Sequence, residues 1–204
     1  MRTRTWVPWV GGGAYLLTAQ YFVGEYVAAA GWRSPAYDFA TNYISDLGVT
    51  TAPRHAVMNT SFVLLGVLNA TGSVLLRGRL RPGRLRQAAV ALMVTSGIGD
   101  VLVGLFPGSV ESQATGTNLL HVVGAVMAIA AGNAGILAAG LALRPTRRRL
   151  AGYSMASGAL GLGVFALFGL GVDLGLGIGT VERLAADPVV IWMMLVGLLC
   201  LLRR

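Results

Sequence analysis

Three observations predict an all-α, polytopic membrane fold. Hydrophobic residues make up 55% of the 204-residue chain, charged residues make up only 12%, and the apolar residues gather in long uninterrupted runs. A soluble domain carries about 25% charged residues and cannot cover its surface with so few. A bilayer core takes about 20 mostly apolar residues per helix. Six runs reach or approach that length: Trp6–Ala30, Ala56–Leu76, Gln87–Phe106, Asn118–Leu143, Leu150–Val172 and Pro188–Leu202. The connections are short, so residues 1–204 read as a single integral membrane domain, a six-helix bundle. The formal charge of +8 comes from 16 arginines, with no lysine, against 8 acids. These counts exclude a disordered chain. The single cysteine, Cys200, excludes an intrachain disulfide and any CxxC centre, and reads as a small apolar residue.

The first run follows Met1-Arg2-Thr3-Arg4 and is longer than the 7–15-residue core of a signal peptide, so it reads as a retained helix. After it, Gly31 to Thr51 is rich in aromatic and polar residues. Ser34-Pro35 is a helix start signal and Gly48 a stop. A short amphipathic helix between them would set Asp38, Asn42, Ser45 and Asp46 on one stripe at a membrane interface. Run three carries Asp100, an ionisable group inside a span and therefore a functional candidate. Ser96 lies one turn away from it. Run four opens with Asn118 and His121, which brings His121 to a depth similar to that of Asp100 on an adjacent antiparallel helix. Glu111 sits in the connection between them as a lid candidate, and Glu25 near the end of run one could face the same cavity. The intramembrane amides Asn59, Asn69 and Asn133 read as interhelical glue. Trp6, Trp9, Trp32 and Trp192 read as interfacial anchors. Small residues let helices approach closely in lipid. Gly171, Gly175 and Gly179 have the GxxxG spacing, and Gly158, Gly161 and Gly163 give the fifth helix a small-residue face, the expected surface for a homo- or hetero-oligomer.

Thirteen arginines fall on one side of the six-pass arrangement, and only Arg33, Arg54 and Arg183 on the other. Positive short loops stay in the cytoplasm, so the expectation is a cell-membrane protein with both termini cytoplasmic. The arginines form membrane-flanking clusters rather than a continuous basic face, so no nucleic-acid partner is expected. The acids all fall toward the outer side.

Asn42-Tyr43-Ile44-Ser45-Asp46-Leu47-Gly48, Gly104-Leu105-Phe106-Pro107 at the end of the third run and His121 at the start of the fourth together resemble a known pattern. It is that of a bacterial and archaeal multi-pass membrane family catalogued as a domain of unknown function, number nine-nine-eight. That family often has an acid after the Phe-Pro; here Gly108 follows and Glu111 is the nearest downstream acid. The resemblance implies about six helices, names no activity, and adds weight to Ser45, Asp46 and His121 as a set.

The functional expectation is a membrane-embedded enzyme doing acid/base chemistry (isomerisation, cyclisation or hydrolysis) on a lipidic or amphipathic substrate in an outward-facing cavity. Asp46 and Asp100 are the acid/base candidates and His121 the proton shuttle. Asn42, Tyr43, Ser45, Glu25, Glu111 and Asn118 are the substrate-binding candidates. The alternatives are a small transporter or immunity protein, recognised by polar residues continuing to the opposite face, and a non-catalytic scaffold subunit. No cofactor is expected. With His55 the only other histidine, no metal is expected either, although Asp46, Asp100 and His121 would be the set to hold one.

Overall fold

The computed structural model describes residues 7–108 and 110–202. Described elements are α1 (Val7–Leu17), α2 (Gln20–Ala29), α3 (His55–Leu76), α4 (Arg84–Leu105), α5 (Val110–Thr115), α6 (Asn118–Val126), α7 (Gly132–Leu143), α8 (Arg148–Gly169) and α9 (Ile178–Leu202). A π-helical turn, Met127–Ala131, joins α6 and α7 into one rod. Among the described residues, five helical stretches are long and apolar enough to cross a membrane: His55–Arg79, Arg84–Leu105, Asn118–Leu143, Arg148–Gly169 and Ile178–Leu202.

The first expected span is two short helices rather than one. Thr18 donates its hydroxyl to the Tyr15 carbonyl at 2.6 Å, while Thr18, Ala19 and Tyr21 close i→i−3 backbone bonds. A side-chain hydroxyl competing for a carbonyl is a recognised source of helix bending. The segment divides there into 11 and 10 residues, too short individually to be counted as spans. Trp6 lies outside the described residues.

The last helix begins ten residues earlier than Pro188, at Ile178, and carries that proline inside it. Proline removes one N–H and its ring disturbs the preceding turn. Asn133 donates to Ala185 O at 2.8 Å, three residues before the proline, and to Ile129 O in the π turn at 2.9 Å, which ties α9 to that turn.

The expected amphipathic helix over 34–48 is replaced by turns and one 3-10 turn, Ile44–Gly48. Its polar side chains satisfy nearby backbone instead of forming a helical stripe. Asp38 accepts from Ala40 N, Asn42 from Asp38 N, and Asp46 from Tyr43 N. Short polar side chains offer the backbone this alternative to a helix.

Gly171 and Gly175 lie in the α8–α9 connection with positive φ, so they shape turns and not a helix–helix seam. Gly158 and Gly161 pack against Asn133 within this chain, whereas Gly163 meets nothing within 4 Å. Trp192 is core rather than an interfacial anchor. It packs edge-on to Tyr15 and donates to Ser154 Oγ at 2.7 Å.

The helices alternate in direction. The connections at 77–83 and 144–147 therefore share one end of the bundle, the arginine-bearing end. The 31–54 segment and the α8–α9 connection share the other, the acid-bearing end.

Candidate functional site

The acid-bearing end holds a cavity of about 70 Å³, walled by apolar side chains such as Phe62, Val189 and Met193. Its polar lining is Tyr21, Ser45, Ser96, Asp100, His121 and Glu182. These residues come from α2, the 3-10 turn, α4, α6 and α9, so the site is built by tertiary packing of distant segments.

Asp100 is held by close helix packing on both sides of α4. Gly97 meets the backbone of Gly66 in α3, and Gly99 meets Gly124 and Ala128 on the α6 side. A Cβ at any of Gly66, Gly97, Gly99 or Gly124 would run into neighbouring backbone. Small residues at such crossings let the backbones touch, and residue 100 is carried between the two crossings. Ser96, one turn earlier, donates to Ala128 O at 2.8 Å and accepts from Asn69 Nδ2 at 3.2 Å. Asn69 is also among the polar neighbours of Asp100. The π turn supplies Ala128 and Ile129 to the cavity wall, and π turns of this kind recur at functional sites.

His121 Nδ1 lies 3.0 Å from Phe106 O. A carbonyl only accepts, so Nδ1 carries the proton and Nε2 of the neutral ring is left with a lone pair. A Cβ at Gly108 would stand 3.4 Å from Nε2, so the glycine keeps that flank of the ring open. Glu182 is buried and accepts Ile44 N–H on Oε2 at 2.6 Å. Its second oxygen has no hydrogen-bond partner among the described residues.

The 31–54 segment roofs this cavity, and Arg183 fastens it. The guanidinium pairs with Glu25 at 2.7 Å and donates to Phe39 O at 2.7 Å, Asn42 O at 3.2 Å and Gly179 O at 2.9 Å. It also donates to Tyr37 OH at 2.6 Å and lies over the Tyr37 and Phe39 rings at 5.7 and 5.0 Å. The Tyr37 hydroxyl in turn donates to Tyr43 O at 2.8 Å. Burial pushes the Tyr37 phenol up to about 12, against the opposing pull of Arg183. Asn59 donating to Gly48 O and Arg54 donating to Val27 O tie the same segment to α3 and α2. Ile44 and Leu47 plug into the bundle beneath it.

The sequence-derived candidates are distributed as follows. Asp100, His121 and Ser45 share the cavity lining. Asp46 is not among the lining residues; it caps the turn that carries Ser45. Tyr43 is exposed, with its ring edge-on to Phe168, and the Asn42 carbonyl is held by Arg183. Glu25 is the partner of Arg183. Asn118 stands one turn before His121, with its amide oxygen beside Gly108. Glu111 belongs to α5, and its side chain lies outside the described residues. Asp187, on the same face of α9 as Arg183, has a buried carboxyl oxygen with no hydrogen-bond partner among the described residues.

The residues missed from sequence are Glu182, Arg183 and Tyr21. Reading Pro188 as a helix start cut Glu182 and Arg183 off from their helix. The available signal was spacing: Glu182, Ala186, Val189 and Met193 follow i, i+4, i+7, i+11, and all four line the cavity. Among the described residues, no group of three or more His, Cys, Asp or Glu side chains is placed to hold a metal ion.

This architecture defines a multi-pass α-helical membrane protein with a mostly apolar cavity that carries a few polar groups toward one end of the bundle. The family model described as "Protein of unknown function (DUF998)" matches residues 13–199. The chain belongs to that family. No curated protein and no solved structure matches it.

Proposed function

We propose that the cavity is an acid/base catalytic site acting on the polar group of an amphiphile whose hydrocarbon part stays in the bilayer. The observation that carries this reading is that Asp100, His121 and Glu182, from three different helices, line one cavity with otherwise mostly apolar walls. Proton-carrying side chains inside a span are costly and concentrate at functional sites. His121 accepts a proton at Nε2 while Phe106 O holds its ring. Asp100 is the carboxyl partner, and the free oxygen of Glu182 orients a water or the substrate's polar group. Asp46 has a positioning role through the turn that bears Ser45. The cavity has room for ordered water beside one small polar group.

The test compares lipid profiles of membranes from cells expressing the wild type, Asp100→Asn or His121→Ala at matched protein levels. The wild type is expected to deplete one lipid class and accumulate its product, and both variants to lose at least about 100-fold of that turnover. Identical profiles in all three would overturn the reading.

One observation favours a second reading, a proton-coupled carrier. Ser96, Asn69, Ser73 and Tyr15 form a continuous hydrogen-bonded chain from this cavity to a second one at the arginine-bearing end. The Asn69 amide relays a proton poorly compared with a hydroxyl or carboxyl, which ranks this reading second. Proton uptake into liposomes containing the protein, lost on Asn69→Leu, would support it over catalysis.

A further inference from the structure

The second cavity, of about 50 Å³, lies between α1, α3, α4, α7 and α9. Its interior is Leu76, Ala89, Met93, Ala139 and Trp192, with Tyr15 and Ser73 at its polar edge. Arg77, Arg79 and Arg147 also line it. Arg77 and Arg79 are exposed and, among the described residues, have no carboxylate partner. Met93 lies nine residues in from Arg84, about 13 Å along α4 by helix rise. The recess therefore runs from a cationic rim at the membrane surface to apolar side chains well inside the bundle. Arg81, in the same connection, and Arg84, at the start of α4, are also exposed but do not line it.

We propose that this recess is a binding site for an anionic phospholipid of the leaflet at the arginine-bearing end. The phosphate sits between Arg77 and Arg79, and one acyl chain enters along Leu76, Ala89 and Met93. Charge complementarity selects the headgroup. Guanidinium groups match phosphate oxygens in bidentate geometry, and basic pockets between membrane helices bind anionic headgroups. The apolar interior selects a lipid over a soluble phosphate, because a free anion would leave those walls unfilled. The site is independent of the catalytic reading and survives its failure.

Native mass spectrometry of the intact detergent-solubilised protein tests this with three probes at equal concentration: dioleoyl phosphatidylglycerol, dioleoyl phosphatidylcholine and glycerol phosphate. The protein should retain phosphatidylglycerol in preference to both others. Removing two arginine contacts by Arg77→Gln/Arg79→Gln should weaken retention about 30-fold. The control pair Arg81→Gln/Arg84→Gln, which removes the same charge from the same end of the bundle, should leave it within about twofold. Equal loss in the two double variants would reduce the effect to a generic basic rim and overturn the site. Equal retention of phosphatidylcholine, or of glycerol phosphate, would overturn the headgroup or the acyl-chain assignment respectively.

Discussion

Glu182 and Ile44 are 138 residues apart, yet one hydrogen bond of 2.6 Å joins them. Glu182→Ala would leave the Ile44 N–H buried without an acceptor, a loss of about 1–3 kcal/mol. Glu182→Gln keeps an oxygen at that place and should recover part of it. Thermal unfolding of the two variants in detergent checks the order: wild type, then Gln, then Ala. Arg183 is a larger commitment. Its ion pair with Glu25 is 13% and 7% exposed, so Arg183→Met strands a buried carboxylate. Breaking such a pair from one side costs about 3–5 kcal/mol. Amide hydrogen exchange over residues 37–46 should accelerate in this variant, while exchange over residues 84–93 of α4, at the opposite end of the bundle, should not change.

At the scale of elements, the roof is held by side chains that reach it from far along the sequence. Tyr37 gives it a pH signature. The phenol has an ordinary value of 10.0 and stands at about 12 when folded. Between those values the folded state keeps a proton that the unfolded state has released, so stability falls as pH rises through that window and is fully present below it. Tyr37→Phe should flatten the decline between about pH 10 and 12 in an unfolding series, at the cost of the hydroxyl's bonds. The same roof shows what sequence reading reaches and what it does not. The spans at 55–76, 84–105 and 118–143 were legible because length and uniform hydropathy leave a bilayer chain few alternatives to a helix. The break at Thr18 was not legible, because a single hydroxyl bonding three residues back leaves no mark on an apolar pattern. Pro188 misled for the opposite reason. It is a common helix start, and nothing local in the sequence marks that α9 runs through it. For the candidate site, Asp100 and His121 were legible as costly polar groups in apolar runs. Glu182 was missed because taking Pro188 as a helix start hid its spacing with Ala186, Val189 and Met193.

The whole molecule separates two chemistries by end. Arginines collect around one apolar recess, and carboxylates and an imidazole collect around the other cavity. Positive short loops select the cytoplasm, which predicts that the 77–83 and 144–147 connections face inward and the 170–177 connection outward. In a Cys200→Ala background, single cysteines at Arg81→Cys and Thr146→Cys should resist an impermeant thiol reagent added to intact cells, whereas Asp173→Cys should react. Labelling of Arg81→Cys and Asp173→Cys from the same side would contradict the alternation of the helices. The central claim is narrower: His121, Asp100 and Glu182 share one cavity. The nitrogen NMR signals of the His121 ring, assigned against His121→Gln, report on it most directly. The account predicts that Asp100→Asn and Glu182→Gln each move those signals, and that Asp173→Asn, in the exposed α8–α9 connection, leaves them in place. Signals indifferent to both cavity carboxyls would contradict it.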